Sequence, residues 1–564
     1  MSDKTSSPAT PTSATPVKTG PAALDELFQA VNRSDAPGLV VGVAQHGRPV
    51  YRRGFGLASV EHAVANTPWT RMRIGSTSKH FTCLAVLLLA EDGKLDVDAS
   101  VRRHIPELPV LNGEATLRQL MNHTSGYRCY LDTGFLAHGM AIQPAGLALA
   151  AQVRQAGSNF RPGERMIYCN SGYHLLSLVI ERVSGQPFEQ FLQQRIFTPM
   201  GMVDTRSVPS DFEIHRGLAT LHVAQTDGSW RRGIFPTEEV RGEGAMISTV
   251  DDMLAWLAHL RSPHKTVGNA ESWRQMLQLT TLNNGQVNPY ALGLMRHDYR
   301  GVEVIHHAGG VIGGSCQMIT VPSQALDIIL ITNGALVNAV ELGYKIIDTL
   351  ATDALAAPPP AKPAAERFRA MVGSRYHASA SGLAFGFDEA PEGRLGLNFL
   401  NSPPLPLQEM QGGALLGLAF QDLAMGPLTM QVADLAGEGQ QAPSVLALAE
   451  AGHVERYERL PATPPSVAEA GAALIGRYRA ADLAADAQVQ LDGEQLQLRV
   501  FGAAAPNLLL LQPWSSEVFG VSVPGTQLPL RGVLSAERDA AGRIAAFRID
   551  TPRTRQMRFV RQSA

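Results

Sequence analysis

The sequence predicts a multidomain α+β protein in which one mixed domain is followed by two antiparallel β-barrel domains. Three observations lead to this expectation. Within residues 23–355, strand-like segments precede and follow a group of helical segments, which favours an antiparallel sheet with clustered helices over repeated βαβ units. A proline-rich linker occupies residues 356–365. Beyond it, short strand-like runs occur twice at one fixed offset, which predicts a duplicated all-β unit.

The length and composition are those of an ordinary globular chain. A chain of 564 residues is too long for a single core, and 45% of its residues are hydrophobic and 18% charged. The net charge of -3 and the pI near 6.6 give no electrostatic reason to expect nucleic acid or an anionic membrane as partner. No apolar run approaches the roughly 20 residues that span a bilayer.

The N-terminal residues and the cysteines bear on the cellular compartment. Residues 1–22 are rich in Ser, Thr, Pro and Ala and lack the apolar segment of a secretory signal, which predicts a disordered leader and a cytoplasmic location. Cys83, Cys129, Cys169 and Cys316 form no C-x-x-C pair, so neither a zinc site nor a redox site is expected. Small buried thiols are the expected alternative.

Several elements of the first domain can be predicted individually. A hairpin is expected over residues 38–56, with its turn at His46-Gly47. Helical patterns occupy residues 172–184 and 250–261. Residues 326–333 are predominantly apolar and predict a central strand of the sheet.

The region after the linker repeats at an offset of 102 residues. Tyr376 recurs as Tyr478 near the start of each copy, and Tyr457 recurs as Phe559 near the end. Two matches at one offset, enclosing both copies, favour duplicated antiparallel barrels. The predicted barrel domains are residues 366–460 and 467–564.

Ser76 and Lys79 are the first residues with a chemical interpretation. An almost wholly apolar run, residues 83–90, follows them and ends before Gly93, which predicts a buried helix. Residues three apart on a helix share a face, so the lysine is expected beside the serine hydroxyl. A desolvated lysine loses its charge readily and can then activate a serine as a nucleophile. The pair alone also fits a capped helix with a surface lysine, so residues elsewhere must decide.

Two further motifs supply candidate partners. Tyr168 is expected near the lysine, where a cation can lower its pKa and let it relay protons, and Asn170 offers a donor and an acceptor to a substrate amide. His307 precedes Gly309 and Gly310, which let a strand edge approach a ligand and supply half of an oxyanion hole. The His306-His307 pair has no further ligand at metal spacing, so no metal site is expected.

Together these motifs resemble those of the penicillin-recognising serine hydrolases, which include class C β-lactamases, D,D-carboxypeptidases, related esterases and D-aminopeptidases. The resemblance covers about residues 25–355 and implies a β-lactamase/penicillin-binding-protein-like catalytic domain that needs no cofactor. It implies catalytic roles for Ser76, Lys79, Tyr168 and His307, and substrate-binding roles for Asn170, Gly309 and Gly310.

Within that family the chain is most similar to D-aminopeptidase, which joins such a catalytic domain to two eight-stranded barrels. This resemblance implies a homodimer. One departure concerns a loop of the last barrel that carries an aspartate into the active site of D-aminopeptidase, because the corresponding residues 522–530 contain no acid here. An acid is still expected near a pocket for a substrate ammonium, and Asp132 and Glu243 are the candidates.

The third motif bears on substrate choice. β-Lactamases and carboxypeptidases generally have Lys-Thr-Gly where this chain has His307-Ala308-Gly309. A mostly neutral imidazole is a poor partner for a substrate carboxylate near pH 7. This difference disfavours penicillins and D-Ala-D-Ala termini, and it favours small peptides or amides that are recognised through a free amine.

The expected reaction is the release of N-terminal D-amino acids from small peptides or amides. It would pass through an acyl-enzyme on Ser76, with the serine proton taken by the Lys79–Tyr168 pair and the oxyanion held by the N–H groups of Ser76 and Gly310. An esterase or weak β-lactamase using the same serine is the alternative within this chemistry. A catalytically silent peptide-binding protein is the alternative of another class.

Overall fold

The computed structural model describes residues 20, 23–357, 366–390, 393–409, 415–418, 429–433, 442–450, 453–524 and 530–563. The predicted leader and linker therefore lie outside the described residues, except residues 20, 356 and 357. Among the described helices, none is long and apolar enough to cross a membrane.

The first domain is a mixed α+β unit with a six-stranded antiparallel sheet in the order β12-β13-β14-β15-β1-β2. Its described strands are β1 (Leu39–Gln45), β2 (Arg48–Phe55), β3 (Leu57–Ser59), β4 (Val64–Ala65), β5 (Met72–Arg73), β6 (Arg206–Ser207), β7 (His222–Ala224), β8 (Trp230–Arg232), β9 (Met246–Ser248), β10 (Thr280–Thr281), β11 (Val287–Asn288), β12 (Met295–Tyr299), β13 (Val302–Val311), β14 (Gly314–Val321) and β15 (Leu326–Thr332). The predicted hairpin is confirmed as β1 and β2, and the predicted central strand is confirmed as β15, which lies between β14 and β1.

Helices cover both faces of this sheet. The described α-helices of the first domain are α1 (Leu24–Phe28), α2 (Lys79–Glu91), α3 (Leu117–Met121), α4 (Tyr130–His138), α5 (Leu147–Val153), α6 (Asn170–Ser184), α7 (Phe188–Leu192), α8 (Val250–Arg261), α9 (Ala270–Leu277) and α10 (Ala339–Leu350). A further described helix, α11 (Val467–Ala472), packs on the second barrel. Helices α2, α6 and α8 share one hydrophobic core with one face of the sheet, whereas α1 and α10 pack on the other face. The predicted helices at residues 172–184 and 250–261 are confirmed as α6 and α8.

Helix α2 is the most deeply buried helix segment near the candidate site. Every residue from Lys79 to Leu89 is buried, as expected for a helix that is apolar around most of its circumference. Gly93 follows the helix with a φ of +68°, a conformation that glycine adopts without the usual steric cost. The four cysteines are free and buried, which confirms that prediction.

The C-terminal region forms two closed antiparallel barrels of eight strands. The strands of the first barrel are β16 (Arg375–His377), β17 (Ala384–Ala390), β18 (Arg394–Phe399), β19 (Leu405–Glu409), β20 (Leu415–Leu418), β21 (Thr429–Ala433), β22 (Val445–Glu450) and β23 (His453–Arg459). The strands of the second barrel are β24 (Gly476–Ala480), β25 (Ala485–Asp492), β26 (Gln495–Phe501), β27 (Asn507–Pro513), β28 (Val518–Ser522), β29 (Arg531–Arg538), β30 (Ile544–Asp550) and β31 (Met557–Arg561).

The two barrels close in the same register. Tyr376 pairs with Arg459 in the first barrel, and Tyr478 pairs with Arg561 in the second. Each residue of the second pair lies 102 positions after its counterpart, which is the offset found in the sequence. The predicted duplication is therefore confirmed at the level of strand pairing.

The second barrel shares a core with the first domain through α4. Leu136 and Ala137, near the end of α4, pack among the interior residues of that barrel. The side-chain amide of Asn507 in β27 donates hydrogen bonds to the carbonyl oxygens of Phe135 (2.8 Å) and Leu136 (3.1 Å). These bonds satisfy carbonyl groups that the end of a helix leaves without helical partners.

Candidate active site

Ser76 lies in a tight turn that runs directly into α2. Residues Gly75–Ser78 form a single 3₁₀ turn, and Lys79 is the first residue of the α-helix. Gly75 has a φ of +53°, which permits the sharp turn. The hydroxyl of Ser78 donates to the Gly75 carbonyl oxygen at 2.6 Å and so fixes the turn from inside. The expected first helical turn is thus a 3₁₀ turn, and it still brings the serine and the lysine together.

The Lys79 side chain is fully buried and faces three oxygen atoms. Its Nζ lies 3.0 Å from Ser76 Oγ, 2.8 Å from Asn170 Oδ1 and 2.6 Å from the Glu243 carbonyl oxygen. Burial disfavours the charged amine and lowers the pKa of Lys79 to about 7, although the nearby Glu243 carboxylate works in the opposite direction. A substantial fraction of this amine is therefore neutral near pH 7, as a general base requires.

Tyr168 borders the same lysine but does not ionise easily. The Lys79 Nζ lies 4.7 Å from the centroid of the Tyr168 ring, so the cation meets the ring face. Burial raises the pKa of the Tyr168 hydroxyl above its usual value, and the opposing effects of the Ser76 hydroxyl and Arg553 are smaller. The expectation of a lowered tyrosine pKa was wrong, because the sequence reveals the nearby cation but not the loss of water. The buried hydroxyl has no well-formed hydrogen bond among the described residues and stays protonated.

Asn170 begins α6 and bonds directly to the lysine. Its Oδ1 accepts from Lys79, so the amide oxygen is already used and the NH₂ group is the part that could meet a substrate. Asn170 lies two residues after Tyr168, and the intervening Cys169 N–H donates to His123 Nδ1 at 3.0 Å. The short motif therefore connects the lysine to a second group of buried residues.

That second group is a chain of hydrogen bonds that ends at His307. The Tyr290 hydroxyl lies 3.1 Å from His123 Nε2 and 3.0 Å from His307 Nε2. His307 Nδ1 lies 2.5 Å from the carbonyl oxygen of Ala308. Desolvation is the main cause that lowers the pKa of His307 to about 3 and that of His123 well below its usual value, so both rings are neutral.

The direction of these bonds follows from the groups at the two ends. The Cys169 N–H can only donate, so His123 carries its proton on Nε2 and donates to the Tyr290 oxygen. The Ala308 carbonyl can only accept, so His307 carries its proton on Nδ1 and accepts from Tyr290 at Nε2. Both nitrogens of His307 are thereby occupied, which favours a positioning role over the catalytic role implied by the resemblance.

The glycines after His307 lie in a strand edge that meets the serine turn. They lie inside β13, in agreement with the strand edge expected from the sequence. Pairing between β12 and β13 ends at His306, so the following edge faces the turn. A Cβ atom built on Gly309 would lie 1.9 Å from the Ile74 carbonyl oxygen, and one built on Gly75 would lie 2.8 Å from the Gly310 nitrogen. Only glycines allow the two backbones to approach so closely.

A small cavity opens beside Ser76. Its volume is about 50 Å³, and its apolar lining includes Leu131, Phe235 and Val240. Two carboxylates, Asp211 and Glu243, also line it. Asp211 had no signal in the sequence, because it is brought to the cavity by its 2.7 Å ion pair with the buried Arg73.

Glu243 is an ionised carboxylate in a buried position. Burial acts most strongly and opposes its charge, but contacts with His174 and Tyr130 outweigh it and lower the pKa of this carboxyl. The Tyr130 hydroxyl donates to its Oε1, and His174 Nδ1 lies 3.6 Å from the same oxygen. The other acid considered from the sequence, Asp132, is placed differently, because it accepts a 2.6 Å hydrogen bond from Thr551 of the second barrel.

The second barrel also reaches the site. Arg553, in the segment between β30 and β31, places its guanidinium carbon 5.4 Å from the centroid of the Tyr168 ring. The departure noted at residues 522–530 concerns a different segment, of which residues 525–529 lie outside the described residues. Sequence reasoning missed Arg553, Tyr290 and His123, because each is brought in by tertiary contacts rather than by a local motif.

Comparison with known proteins agrees with this architecture. A family model described as beta-lactamase matches residues 24–351. The D-aminopeptidase of Brucella canis is 25% identical over 542 residues, which covers 91% of this chain and 93% of that protein. The D-aminopeptidase of Brucella anthropi is 27% identical over 383 residues, which covers 65% of this chain and 69% of that protein.

Solved structures show the same fold at low identity. The octameric penicillin-binding protein homologue from Pyrococcus abyssi has a TM-score of 0.54 and 20% identity, covering 78% of this chain and 99% of that chain. The D-amino acid amidase from Ochrobactrum anthropi SV3, complexed with L-phenylalanine, has a TM-score of 0.50 and 21% identity, covering 58% of this chain and 98% of that chain.

Proposed function

Because the chain is a hydrolase that belongs to the beta-lactamase family, we propose that it is a D-stereospecific aminopeptidase that acts on small peptides or amides through an acyl-enzyme on Ser76. One observation carries the catalytic part of this proposal: a buried lysine with a pKa of about 7 lies 3.0 Å from the serine hydroxyl. The D-aminopeptidase relatives, which match over nearly the whole chain, support the substrate class.

The proposed reaction divides acid and base between two residues. Neutral Lys79 takes the proton as Ser76 Oγ bonds to the substrate carbonyl carbon. Tyr168, which stays protonated, gives its proton to the leaving nitrogen as the scissile bond breaks, and the lysine ammonium reprotonates it. Water then attacks the ester, passes its proton to Lys79 and releases the acid, with the proton returning to Ser76 Oγ.

Three other groups would bind the substrate. The N–H groups of Ser76 and Gly310 are proposed to hold the oxyanion, which the close approach of β13 to the serine turn supports. The NH₂ group of Asn170 would orient the scissile amide. His307 is proposed to fix this part of β13 through its hydrogen bond to Tyr290.

The cavity supports a small N-terminal residue with a free amine. A single water needs roughly 10–15 Å³ of such volume, so about 50 Å³ holds roughly three to five groups of that size, which suits the ammonium, Cα and side chain of a small residue such as alanine. The carboxylate of Glu243 would face the substrate ammonium, whereas that of Asp211 is already paired with Arg73 at the same cavity. The homodimer and the cytoplasmic location implied earlier stay predictions, and light scattering of the purified protein would test the first.

Replacing Ser76 with alanine tests the central step. We expect S76A to lose turnover of every substrate while keeping the melting temperature of the parent protein, since the hydroxyl is the nucleophile. The substrates should be D- and L-aminoacyl p-nitroanilides, short-chain esters and nitrocefin, which separate a D-aminopeptidase from an esterase or weak β-lactamase. Unchanged rates in S76A would contradict the scheme. Stoichiometric acylation of Ser76 in the parent protein, with no release of the acyl group, would favour the silent binding protein.

A further inference from the structure

The positive charge of Arg553 lies beside the proposed general acid. Its guanidinium contacts the face of the Tyr168 ring, at 5.4 Å from the ring centroid. The same charge adds to the lowering of the Lys79 pKa and opposes the larger rise that burial causes in the Tyr168 pKa, which agrees with a position next to the reacting groups. A residue of the second barrel therefore forms part of the surroundings of the serine.

The segment that carries Arg553 is fixed by the first domain. The Arg553 carbonyl oxygen accepts from Asn159 Nδ2 at 2.9 Å. Two residues further on, the backbone N–H of Arg555 donates to Asn159 Oδ1 at 2.8 Å. The Arg555 carbonyl oxygen accepts from Arg128 Nε at 2.9 Å. The Thr551 hydroxyl donates a hydrogen bond to the Asp132 carboxylate at 2.6 Å. These contacts on both sides hold the backbone of Arg553 in one position relative to Tyr168.

The charges around Ser76 are separated. The cavity proposed for the N-terminal residue of the substrate is lined by the carboxylates of Asp211 and Glu243 and by the guanidinium of Arg73, which pairs with Asp211, so the net charge of the lining is negative. Neither Tyr168 nor Arg553 belongs to the described lining of that cavity. In the proposed reaction Tyr168 protonates the leaving nitrogen, so Arg553 lies near the leaving part of the substrate. Negative protein charge thus faces one part of the substrate and positive charge faces the other.

We propose that Arg553 determines specificity by binding the free carboxylate of a leaving amino acid, so that the preferred substrates are dipeptides with an N-terminal D-residue. This inference rests on the proposed function. In an amino acid the nitrogen and the carboxyl carbon are only about 2.5 Å apart, so a carboxylate one residue beyond the scissile bond stays close to Tyr168. A guanidinium suits this task because its planar donors match a carboxylate and it remains charged at every working pH.

The test compares two substrates that differ only at the leaving end, D-alanyl-glycine and D-alanyl-glycinamide. We expect the parent enzyme to favour the acid by about tenfold or more in kcat/KM, a preference that should fall with added salt. At pH 9, where Lys79 is neutral with or without the nearby arginine, the variant R553Q should lose the preference because KM rises for the acid and changes much less for the amide. R553K, which keeps the charge but not the planar fork, should retain part of it.

A matched control is R543Q in the same barrel. Arg543 carries an 81% exposed side chain in the turn before β30, about 20 Å along that strand from the segment of Arg553. This variant removes an equal charge and should leave the acid-to-amide ratio unchanged.

Two results would overturn the inference while leaving the proposed function intact. One is an equal rate of the parent enzyme on both substrates, and the other is an unchanged acid-to-amide ratio in R553Q, whether or not both rates fall. The first does not depend on the folding of any variant. Failure of the parent enzyme to hydrolyse either D-alanyl substrate, or any D-aminoacyl p-nitroanilide, would instead contradict the proposed function.

Discussion

Lys79 shows how far burial alone can change the chemistry of one residue. Its amine bonds to Ser76, to Asn170 and to the Glu243 backbone, and no carboxylate oxygen is among the described hydrogen-bond partners of its Nζ. Desolvation therefore dominates and lowers its pKa to about 7. A lysine that bonded directly to a carboxylate in the same place would stay charged and could not accept the serine proton.

The pH dependence of the rate should report this pKa. The neutral lysine is the active form, so kcat/KM should rise about tenfold per pH unit below pH 7 and fall again above about pH 8, where the substrate loses its ammonium charge. Measuring kcat/KM from pH 5 to 9 gives this dependence. The Glu243 carboxylate raises the pKa of Lys79 in the parent enzyme. In E243Q this effect is absent, so the rising part of the profile should move to lower pH. A flat profile, or a rising part near the usual lysine pKa, would contradict this assignment.

Individual residues also mark where sequence reasoning stops. Ser76 with Lys79 and Tyr168 with Asn170 are close in the chain, so a helical period or a short motif is enough to associate them. His123, Tyr290 and His307 are far apart in the chain and meet only after folding. The sequence could therefore name His307 but could not show that its ring nitrogens are already bonded.

At the scale of elements, the contact between β13 and the serine turn determines the geometry of the site. The strand leaves β12 at His306, and its free edge then lies against residues 74–76. The sequence predicted glycines near a ligand, but it did not predict that the first atom they approach is a carbonyl oxygen of the protein itself.

Replacing Gly309 with alanine should disrupt this contact. The added Cβ would lie 1.9 Å from the Ile74 carbonyl oxygen, a distance that forces one backbone to move. A displacement of about 1 Å at a catalytic group can reduce the rate on the order of 100-fold, so we expect a loss of that size in kcat.

The matched variant for stability is G244A, whose Cβ would be in ordinary contact at 3.6 Å from the Gly75 carbonyl carbon. Its melting temperature should stay near that of the parent, whereas that of G309A should fall. Full activity in G309A would show that β13 does not constrain the serine turn.

At the scale of the whole molecule, Arg128 joins the first domain to the second barrel. Its side chain is 4% exposed and forms a 2.5 Å ion pair with Asp482, and it also donates to the carbonyl oxygens of Arg555 and Gln556. The local sequence around Arg128 does not reveal this role, because its partners in the second barrel are more than 350 residues away in the chain.

The variant R128M should weaken the attachment of the second barrel. Removing one partner of a buried ion pair costs about 3–5 kcal/mol, because the remaining groups are left unpaired. For units of this size that corresponds to a melting temperature lowered on the order of 5–10 °C, measurable by scanning calorimetry. R274M removes an exposed arginine that pairs with Glu271, and it should change the melting temperature by less than about 2 °C. Equal melting temperatures for R128M and the parent would contradict the role of Arg128.

Helix α4 imposes a constraint that concerns heat inactivation. Its first residue, Tyr130, donates to Glu243 beside the serine, whereas Leu136 and Ala137 complete the interior of the second barrel. One helix nine residues long thus belongs to two hydrophobic interiors. If that barrel melts before the first domain, the wall of the substrate cavity loses its support, so we expect the upper temperature limit of activity to follow the melting of a domain that contributes no nucleophile.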